Sequence, residues 1–323
     1  MKKNIFLLIL ALGIIFSAYK IWYLSSHAPI ALGTVYRDVV YKDSLTLDIY
    51  TPTKKNKKKK SPTLVYFHGG AWMAGSKETI NFDRVREAAN KLRDLGYTVV
   101  SVNYSLANNN TSPFPSCLID ARDALEFLEQ NKEKYNLDIQ NLGVIGESAG
   151  GQIALSMAYA TQKEFSIDPK KIPIRYIIEI YAPTDLKLLY KENIITRAEA
   201  SKSLPEPIKE TLAKEKRELD SLLMGFDPVV YPNKVDTFSM NYSPIELLKD
   251  KKIPTLIIHG DKDRIAPIKH AYLLKNKLDS LEIESSFKIF KGVDHAFAGI
   301  TESQKKVLIS NIVWFCQKYT QDR

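Results

Sequence analysis

The sequence predicts an α/β fold with a mostly parallel central sheet, helices on both faces and an antiparallel hairpin at the amino-terminal edge. Three observations predict it. Short apolar runs alternate with segments of helical periodicity, two β-rich segments precede the first run, and the composition is that of a globular chain, with 45% hydrophobic and 26% charged residues. The 323 residues exceed a typical single domain and leave room for an insertion.

Eight segments are predicted as strands. Residues 34–41 and 45–50 are β-rich, and in the second segment Leu47 and Ile49 alternate with polar residues, which favours an antiparallel pair. Six apolar runs follow, and runs without alternation are typical of parallel strands buried on both faces. These runs are Thr63–Phe67, Tyr97–Val102, Leu142–Ile145, Tyr176–Ile180, Thr255–Ile258 and Ser286–Phe290.

Helical periodicity predicts four helices, namely Phe82–Leu95, about Cys117–Lys132, one that begins at Ser148, and about Gln304–Tyr319. The stretch from Leu186 to Met240 breaks the alternation, because it is helical in composition and rich in Lys and Glu. We interpret residues 186–240 as a cap-like insertion. An insertion after the carboxyl end of a strand is placed to cover a site there, and a passive surface decoration is the alternative.

The first 24 residues are predicted to be a signal peptide or a membrane anchor. Lys2 and Lys3 precede an uncharged apolar stretch, Ile5 to Phe16, which is the pattern of a secretory signal. Continued to Leu24, the segment is long enough to span a bilayer as a helix. Both interpretations place the remaining chain, residues 25–323, outside the cytoplasm, either secreted or attached to the membrane through residues 5–24.

Charge and cysteine content exclude several classes of protein. The net charge of +9 is largely local, since six lysines lie between positions 54 and 60. A nucleic-acid-binding protein more often spreads basic residues over a recognition element, so we interpret this run as a solvated loop, with attraction to an anionic membrane or glycan as the alternative. Cys117 and Cys316 lack CxxC spacing and are expected to be buried free thiols.

Gly146-Glu147-Ser148-Ala149-Gly150 follows an apolar strand and leads into a helical segment. This is the context of the G-x-S-x-G turn, in which a serine is held in a strained strand-to-helix turn and small neighbours let the chain fold back tightly. The helix start also places positive potential beside the hydroxyl. The motif therefore predicts Ser148 as a nucleophile.

A serine nucleophile needs a base and an acid that orients the base. His295 follows the last predicted strand and is the histidine with the required position and order. Asp263 follows the preceding strand, where a carboxylate could accept a hydrogen bond from the imidazole, and Asp261 and Asp294 compete for this role. The order Ser148, Asp263, His295 is typical of α/β hydrolases. No pair of histidines has HxxxH spacing, so no metal is predicted.

His68-Gly69-Gly70-Ala71-Trp72 comes directly after the first buried strand. Small residues at such a position allow backbone N–H groups to approach a developing oxyanion. We predict that the donors are the N–H groups of Gly70 and Ala71, together with that of Ala149 just after the nucleophile.

Taken together, these motifs resemble one family of enzymes. They are HGGAW (68–72), VVSVNYSLA (99–107), FP (114–115), GESAGG (146–151), APTDL (182–186), SPI (243–245), HGDKDRIAP (259–267) and GVDHAF (292–297). From about Thr34 to Tyr319 the chain is similar to α/β-hydrolase esterases of the hormone-sensitive-lipase-like group, in particular to its HGGxW, BD-FAE-like branch. That resemblance implies the α/β-hydrolase fold and favours Asp263 over Asp261 as the acid.

The resemblance implies a serine carboxylesterase that works through an acyl-enzyme without a cofactor. Trp72 and Tyr104, which lie in two of the shared motifs, are predicted to contact the substrate. The expected substrate is a small-molecule, glycan or lipid ester, and nucleic acid is not expected as a partner. The alternatives are an amide, formamide or peptide hydrolase on the same triad, and a non-catalytic binding protein of the hydrolase fold.

Overall fold

The computed structural model describes residues 33–54, 59–81, 83–108, 111–160, 172–191, 206–249 and 251–321. One eight-stranded sheet runs through this part of the chain, in the order β1-β2-β4-β3-β5-β6-β7-β8. Strand β2 is antiparallel to β1 and β4, and all other pairs are parallel. The strands are β1 Val35–Lys42, β2 Leu45–Tyr50, β3 Ser61–Phe67, β4 Thr98–Val102, β5 Leu137–Glu147, β6 Ile174–Ile180, β7 Thr255–Gly260 and β8 Ser285–Phe290. The predicted fold class is confirmed.

Helices cover both faces of the sheet. They are α1 Asp83–Asp94, α2 Ser116–Gln130, α3 Lys132–Tyr135, α4 Ala149–Tyr159, α5 Glu206–Met224, α6 Pro232–Tyr242, α7 Pro244–Leu247, α8 Lys269–Ser280 and α9 Glu302–Tyr319, with 3₁₀ turns at Lys77–Asn81 and His295–Phe297. Apolar side chains of α1 and α9 join one hydrophobic cluster, and those of α2, α4 and α8 join the cluster on the opposite face. The core is therefore two apolar layers with the sheet between them.

Three of the differences from the sequence prediction have a clear cause in the sequence. Strand β5 begins at Leu137, five positions before the predicted start, because polar residues alternate with buried Leu137 and Ile139 and hide the strand from a search for apolar runs. Helix α8 was not predicted, although its buried Ala271, Leu274 and Leu278 have helical spacing. Helix α9 begins at Glu302, since Thr301 and Gln304 form a capping box.

Several sequence predictions fall wholly or partly outside the described residues. They are residues 1–24, the predicted signal peptide or anchor, residues 55–58 of the lysine-rich run, Phe82 at the predicted start of a helix, and residues 192–205 of the predicted insertion. Within the residues that the structure does describe, no helix combines the length and apolarity needed to cross a bilayer. Cys117 and Cys316 are buried free thiols, as expected.

The contact between β5 and β6 depends on a residue without a side chain. Gly143 is paired in register with Tyr176, and a Cβ atom built on Gly143 would lie 2.1 Å from the Cζ atom of the Tyr176 ring. Tyr176 is fully buried between the sheet and α9, where its ring lies 6.0 Å from the ring of Phe315. The ring therefore has little room to move away from an added methyl group.

We expect Gly143→Ala to lower the free energy of unfolding by about 2 to 3 kcal/mol, because overpacking displaces a buried ring. In a Tyr176→Leu background, which removes the colliding atoms, the same change should cost less than about 1 kcal/mol. Urea unfolding of the four proteins measures both values. A Gly143→Ala protein within about 0.5 kcal/mol of the wild type would show that the contact is not tight.

Candidate active site

Ser148 lies at the tight turn between β5 and α4. Its backbone has φ 52° and ψ −119°, a left-handed conformation that is costly for a residue with a side chain. The turn is held because the Ser148 N–H donates to the carbonyl of Ile180 at 2.8 Å. Gly146 and Gly150 allow the chain to cross itself, since a Cβ on Gly146 would lie 2.1 Å from the carbonyl oxygen of Gly150. The strained turn presents the hydroxyl at the carboxyl edge of the sheet.

Ser148, His295 and Asp263 follow three different strands and meet at this edge. The Nε2 atom of His295 lies 3.0 Å from Oγ of Ser148, and the Nδ1 atom lies 2.7 Å from Oδ2 of Asp263. Because an ionised carboxylate only accepts hydrogen bonds, Nδ1 carries the hydrogen, and Nε2 is left to accept the Ser148 hydroxyl proton. The structure thus brings together the three side chains that the sequence predicts as nucleophile, base and acid.

Asp263 is held in its charged form. Its Oδ1 atom accepts hydrogen bonds from the backbone N–H groups of Ile265 and Ala266 at 2.9 and 2.8 Å. Nε2 of His259, which donates to the Ala266 carbonyl at 2.7 Å, lies 3.4 Å from Oδ2. Burial disfavours the charge, but the hydrogen bonds from His259 and His295 outweigh it, so the pKa of Asp263 lies well below its ordinary value.

The two competing carboxylates are engaged elsewhere. Asp261 accepts a hydrogen bond at 2.6 Å from a backbone N–H in the loop after β8. Asp294 accepts from the backbone N–H groups of His295 and Arg264 at 2.8 and 3.0 Å, and the Nε atom of Arg264 lies 2.7 Å from its second oxygen. Asp294 therefore holds the loop that carries His295, whereas Asp263 contacts the imidazole itself.

The loop after β3, which carries the predicted donors Gly70 and Ala71, contacts the chain at Ser148. A Cβ on Gly69 would lie 3.4 Å from the Cβ of Ser148, so the two backbones are in contact. Gly70 has φ 126°, and a Cβ there would lie 2.0 Å from the carbonyl oxygen of Ala74, so only glycine fits. Within the described chain, the N–H groups of Gly70, Ala71 and Ala149 donate to no protein acceptor. They are available to a ligand.

Trp72 and Tyr104, the predicted substrate contacts, occupy different environments. Trp72 lines the cavity that opens onto Ser148, and its Nε1–H donates to Oε1 of Gln152 on α4 at 3.0 Å. Tyr104 is buried, stacks on His68 with a ring separation of 4.3 Å, and donates its hydroxyl to the His68 carbonyl at 2.7 Å. Tyr104 is not among the described residues that line the cavity. It supports the donor loop from behind.

Sequence reasoning missed a buried group between the glycine and the serine of the turn. Glu147 accepts hydrogen bonds from the hydroxyls of Tyr66 and Tyr181, which lie on or just after neighbouring strands. The Tyr181 ring packs against His295 with a ring separation of 4.7 Å. Glu147 thus links the nucleophile turn to the imidazole. The variable position of the motif gave no signal for this role.

A cavity of about 610 Å³ opens onto Ser148 and His295. This volume is in the range of sites that hold drug-sized ligands. Its lining is mostly apolar, and residues of the 186–240 segment form much of its wall, including Leu186, Leu189, Lys216, Leu219, Asp220 and Phe238. The described residues of the segment therefore contribute to the cavity beside Ser148, and the cap role of the whole segment stays a prediction.

Hydrogen bonds hold the chain where this segment begins and join its two ends. At its start, the Thr184 N–H lies 3.3 Å from Nδ1 of His270, and the Thr184 hydroxyl donates to the His270 carbonyl at 2.7 Å. Burial lowers the pKa of His270 to about 3, so the ring is neutral, and the N–H that faces Nδ1 assigns this nitrogen as the acceptor. The start of the segment is also joined to the chain just beyond its end, because the Ser243 hydroxyl accepts from the Leu186 N–H at 2.9 Å.

A parallel sheet of this order, with a serine on a strained turn after β5, an acid after β7 and a histidine after β8, defines the α/β-hydrolase fold. The chain belongs to the BD-FAE family, whose model matches residues 47–278. The resemblance that the motifs predict is therefore confirmed.

The chain is similar to two curated relatives and to one solved structure. Arylacetamide deacetylase of Oryctolagus cuniculus is 34% identical over 155 residues, which are 47% of this chain and 37% of that protein. Ethyl acetate hydrolase of Pseudomonas putida is 31% identical over 144 residues, or 44% and 42%. The matches thus span about two fifths of these relatives. The hyperthermophilic esterase of Pyrobaculum calidifontis has the same fold, with a TM-score of 0.68 at 21% identity over 95% of this chain and 94% of that chain.

A second carboxylate lies deeper beneath the site. Glu179 on β6 is fully buried, and its Oε2 atom accepts from the Ala182 N–H at 2.9 Å, while Oε1 has no partner within the described part of the chain. Burial raises the pKa of Glu179 to about 7, against the opposing influence of His259 and of the Ala182 N–H. Glu179 therefore stays protonated in the folded protein at pH values where an unfolded chain has released that proton.

We expect Glu179→Gln to become more stable relative to the wild type as pH rises. Between about pH 4.5 and 7 the folded protein binds one proton more than the unfolded chain, so the free energy of unfolding of the wild type falls with pH in this window. The uncharged glutamine removes this loss, which is on the order of 3 kcal/mol. Urea unfolding of both proteins at pH 4.5 and 8 measures the difference, and an unchanged difference would contradict a raised pKa.

Proposed function

We propose that the protein is a serine hydrolase that cleaves carboxylic esters through an acyl-enzyme. The Ser148 hydroxyl attacks the ester carbonyl while His295 takes its proton, and Asp263 stabilises the imidazolium that forms. The N–H groups of Gly70, Ala71 and Ala149 bind the developing oxyanion, where one donor typically contributes about 10²–10³ in rate. His295 then protonates the leaving alcohol. Water repeats the sequence on the acyl group and regenerates the serine.

The observation that carries this proposal is the continuous hydrogen-bonded path from Ser148 through His295 to Asp263, at 3.0 and 2.7 Å, next to an open cavity. A binding protein without catalysis would not need a charged acid aligned on the imidazole. No cofactor takes part in the proposed steps. The activities named for the two curated relatives, ethyl acetate hydrolysis and arylacetamide deacetylation, support an acyl substrate.

An amide, formamide or peptide substrate is the alternative for the same side chains. The arylacetamide deacetylase name gives this alternative its support. Parallel assays with 4-nitrophenyl acetate and 4-nitroacetanilide separate the two bonds, because the acyl group is the same and only the leaving group differs. A location outside the cytoplasm, by secretion or through residues 5–24, stays a prediction from the sequence.

We expect Ser148→Ala to lower kcat/KM for 4-nitrophenyl acetate by about 10⁴-fold or more, because the attacking oxygen is removed. The variant should also fail to form an adduct with a fluorophosphonate, as measured by intact mass. Ser310→Ala is the matched control, since the Ser310 hydroxyl lies on the exposed face of α9 and donates to the Lys306 carbonyl. If turnover and labelling persist in Ser148→Ala, Ser148 is not the nucleophile.

We expect Asp263→Asn to lower kcat by about 10³–10⁴-fold, because an amide at this position cannot stabilise the imidazolium. Asp294→Asn should lose less than about 10-fold, since an amide oxygen can still accept from the backbone N–H groups of residues 264 and 295. Rates of both variants with 4-nitrophenyl acetate measure the contrast. If the losses are equal, or larger in Asp294→Asn, Asp263 is not the residue that stabilises the imidazolium.

A further inference from the structure

The wall that helix α5 contributes to the cavity contains an ion pair. Lys216 and Asp220 lie one helical turn apart, and Nζ of Lys216 contacts Oδ2 of Asp220. Each residue is only 8% exposed. The same ammonium lies 5.1 Å from the centre of the Tyr190 ring. All three residues line the cavity that contains Ser148 and His295.

Such a pair is unusual in this position. Lysine and aspartate four residues apart on a helix normally lie in water and contribute a few tenths of a kcal/mol. Burial removes water from both charges, which costs free energy, and the attraction between the charges seldom makes up for this cost. Two apolar residues of similar size would therefore stabilise the fold as well or better. The neighbouring wall is apolar, with Leu186, Leu219 and Phe238. Stability alone therefore does not account for the pair.

The chemistry of the pair defines what it can bind. An ammonium has three N–H donors, and a carboxylate accepts several hydrogen bonds, so the pair offers donors and acceptors side by side with a net charge of zero. The carboxylate of Asp220 would repel an anion that binds Lys216, and the ammonium of Lys216 would repel a cation that binds Asp220. A neutral hydroxyl suits the pair, because it can accept from the ammonium and donate to the carboxylate.

We propose that Lys216 and Asp220 form a subsite for a hydroxyl group at the far end of the substrate. The preferred ester then has an apolar segment next to the reacting bond, which packs against Trp72, Leu219 and Phe238, and a hydroxyl beyond that segment. The proposal rests on the proposed esterase function and adds its substrate class. Lys216 and Asp220 are specificity-determining residues in it and take no part in bond cleavage.

The test compares matched esters with and without a terminal hydroxyl. One series varies the acyl group, using 4-nitrophenyl esters of butanoic, hexanoic, octanoic and decanoic acid beside their ω-hydroxy forms. The other varies the alcohol, using alkyl acetates of the same lengths beside ω-hydroxyalkyl acetates. We expect the wild type to prefer the hydroxyl form by about 10-fold in kcat/KM at the best length of one series, because hydrogen bonds to charged groups are strong.

The double variant Lys216→Met/Asp220→Leu should reverse this ratio to below one, because a hydroxyl in an apolar cavity has no partner. The control is Lys275→Met/Asp279→Leu on α8, a Lys–Asp pair with the same spacing whose side chains are 28% and 54% exposed. It should keep the wild-type ratio. Thermal unfolding checks that each variant is folded, and the comparison of esters within the wild type needs no variant.

Two results would overturn the subsite. The first is a ratio that never exceeds one at any length in either series, while fluorophosphonate labelling and 4-nitrophenyl acetate turnover persist. The esterase function would then stand without the hydroxyl subsite. The second is a stronger preference for ω-carboxy esters than for ω-hydroxy esters, which would make the pair an anion site. Loss of both labelling and turnover in the wild type would instead contradict the esterase function, and the subsite with it.

Discussion

The close crossing of backbones around Ser148 is the constraint on which the rest of the site depends. A Cβ on Gly150 would lie 2.1 Å from the carbonyl oxygen of Phe67 at the end of β3, and one on Gly151 would lie 2.8 Å from the Cβ of Ala182 beyond β6. Helix α4 therefore starts in contact with both neighbouring strands. Because the contacts at Gly146 and Gly150 are with backbone atoms, the fold holds the positive φ of Ser148 through groups that cannot relax as a flexible side chain could.

The order of the strands determines which residues lie close to Ser148 at this crossing. Parallel strands end at one edge of the sheet, so the residues that follow β3, β5, β7 and β8 gather there although they are far apart in sequence. The polar groups beneath this edge are buried. Glu147 accepts hydrogen bonds from two tyrosines, and His259 lies beside Asp263, so the imidazole of His295 is held between Asp263 and Tyr181. Such an arrangement needs no rearrangement when charge develops.

The sequence alone predicts the parts of this site that depend on local backbone geometry. Glycine spacing around Ser148 identifies the turn because only small residues permit it. By local pattern Asp263, Asp261 and Asp294 are equivalent, since all three lie in loops after strands, and the distances to the imidazole separate them. Strand β5 and helix α8 were misjudged where polar residues interrupt the apolar pattern. The burial of Tyr104 behind the donor loop depends on tertiary packing, which periodicity does not encode.

The same reasoning explains why the cavity wall was beyond sequence prediction. Helix α5 is rich in charged residues, and its pattern does not show which face turns toward the sheet, so Lys216 and Asp220 look like any solvated pair. Hydrogen bonds hold Thr184, just before this segment, to His270 and join Leu186 at its start to Ser243 just beyond its end. The predicted nucleophile, acid and base thus follow strands of the sheet, whereas much of the cavity wall belongs to the 186–240 segment. In the proposed esterase, α5 therefore contributes to the choice of substrate, while the crossing at Ser148 positions the attacking oxygen.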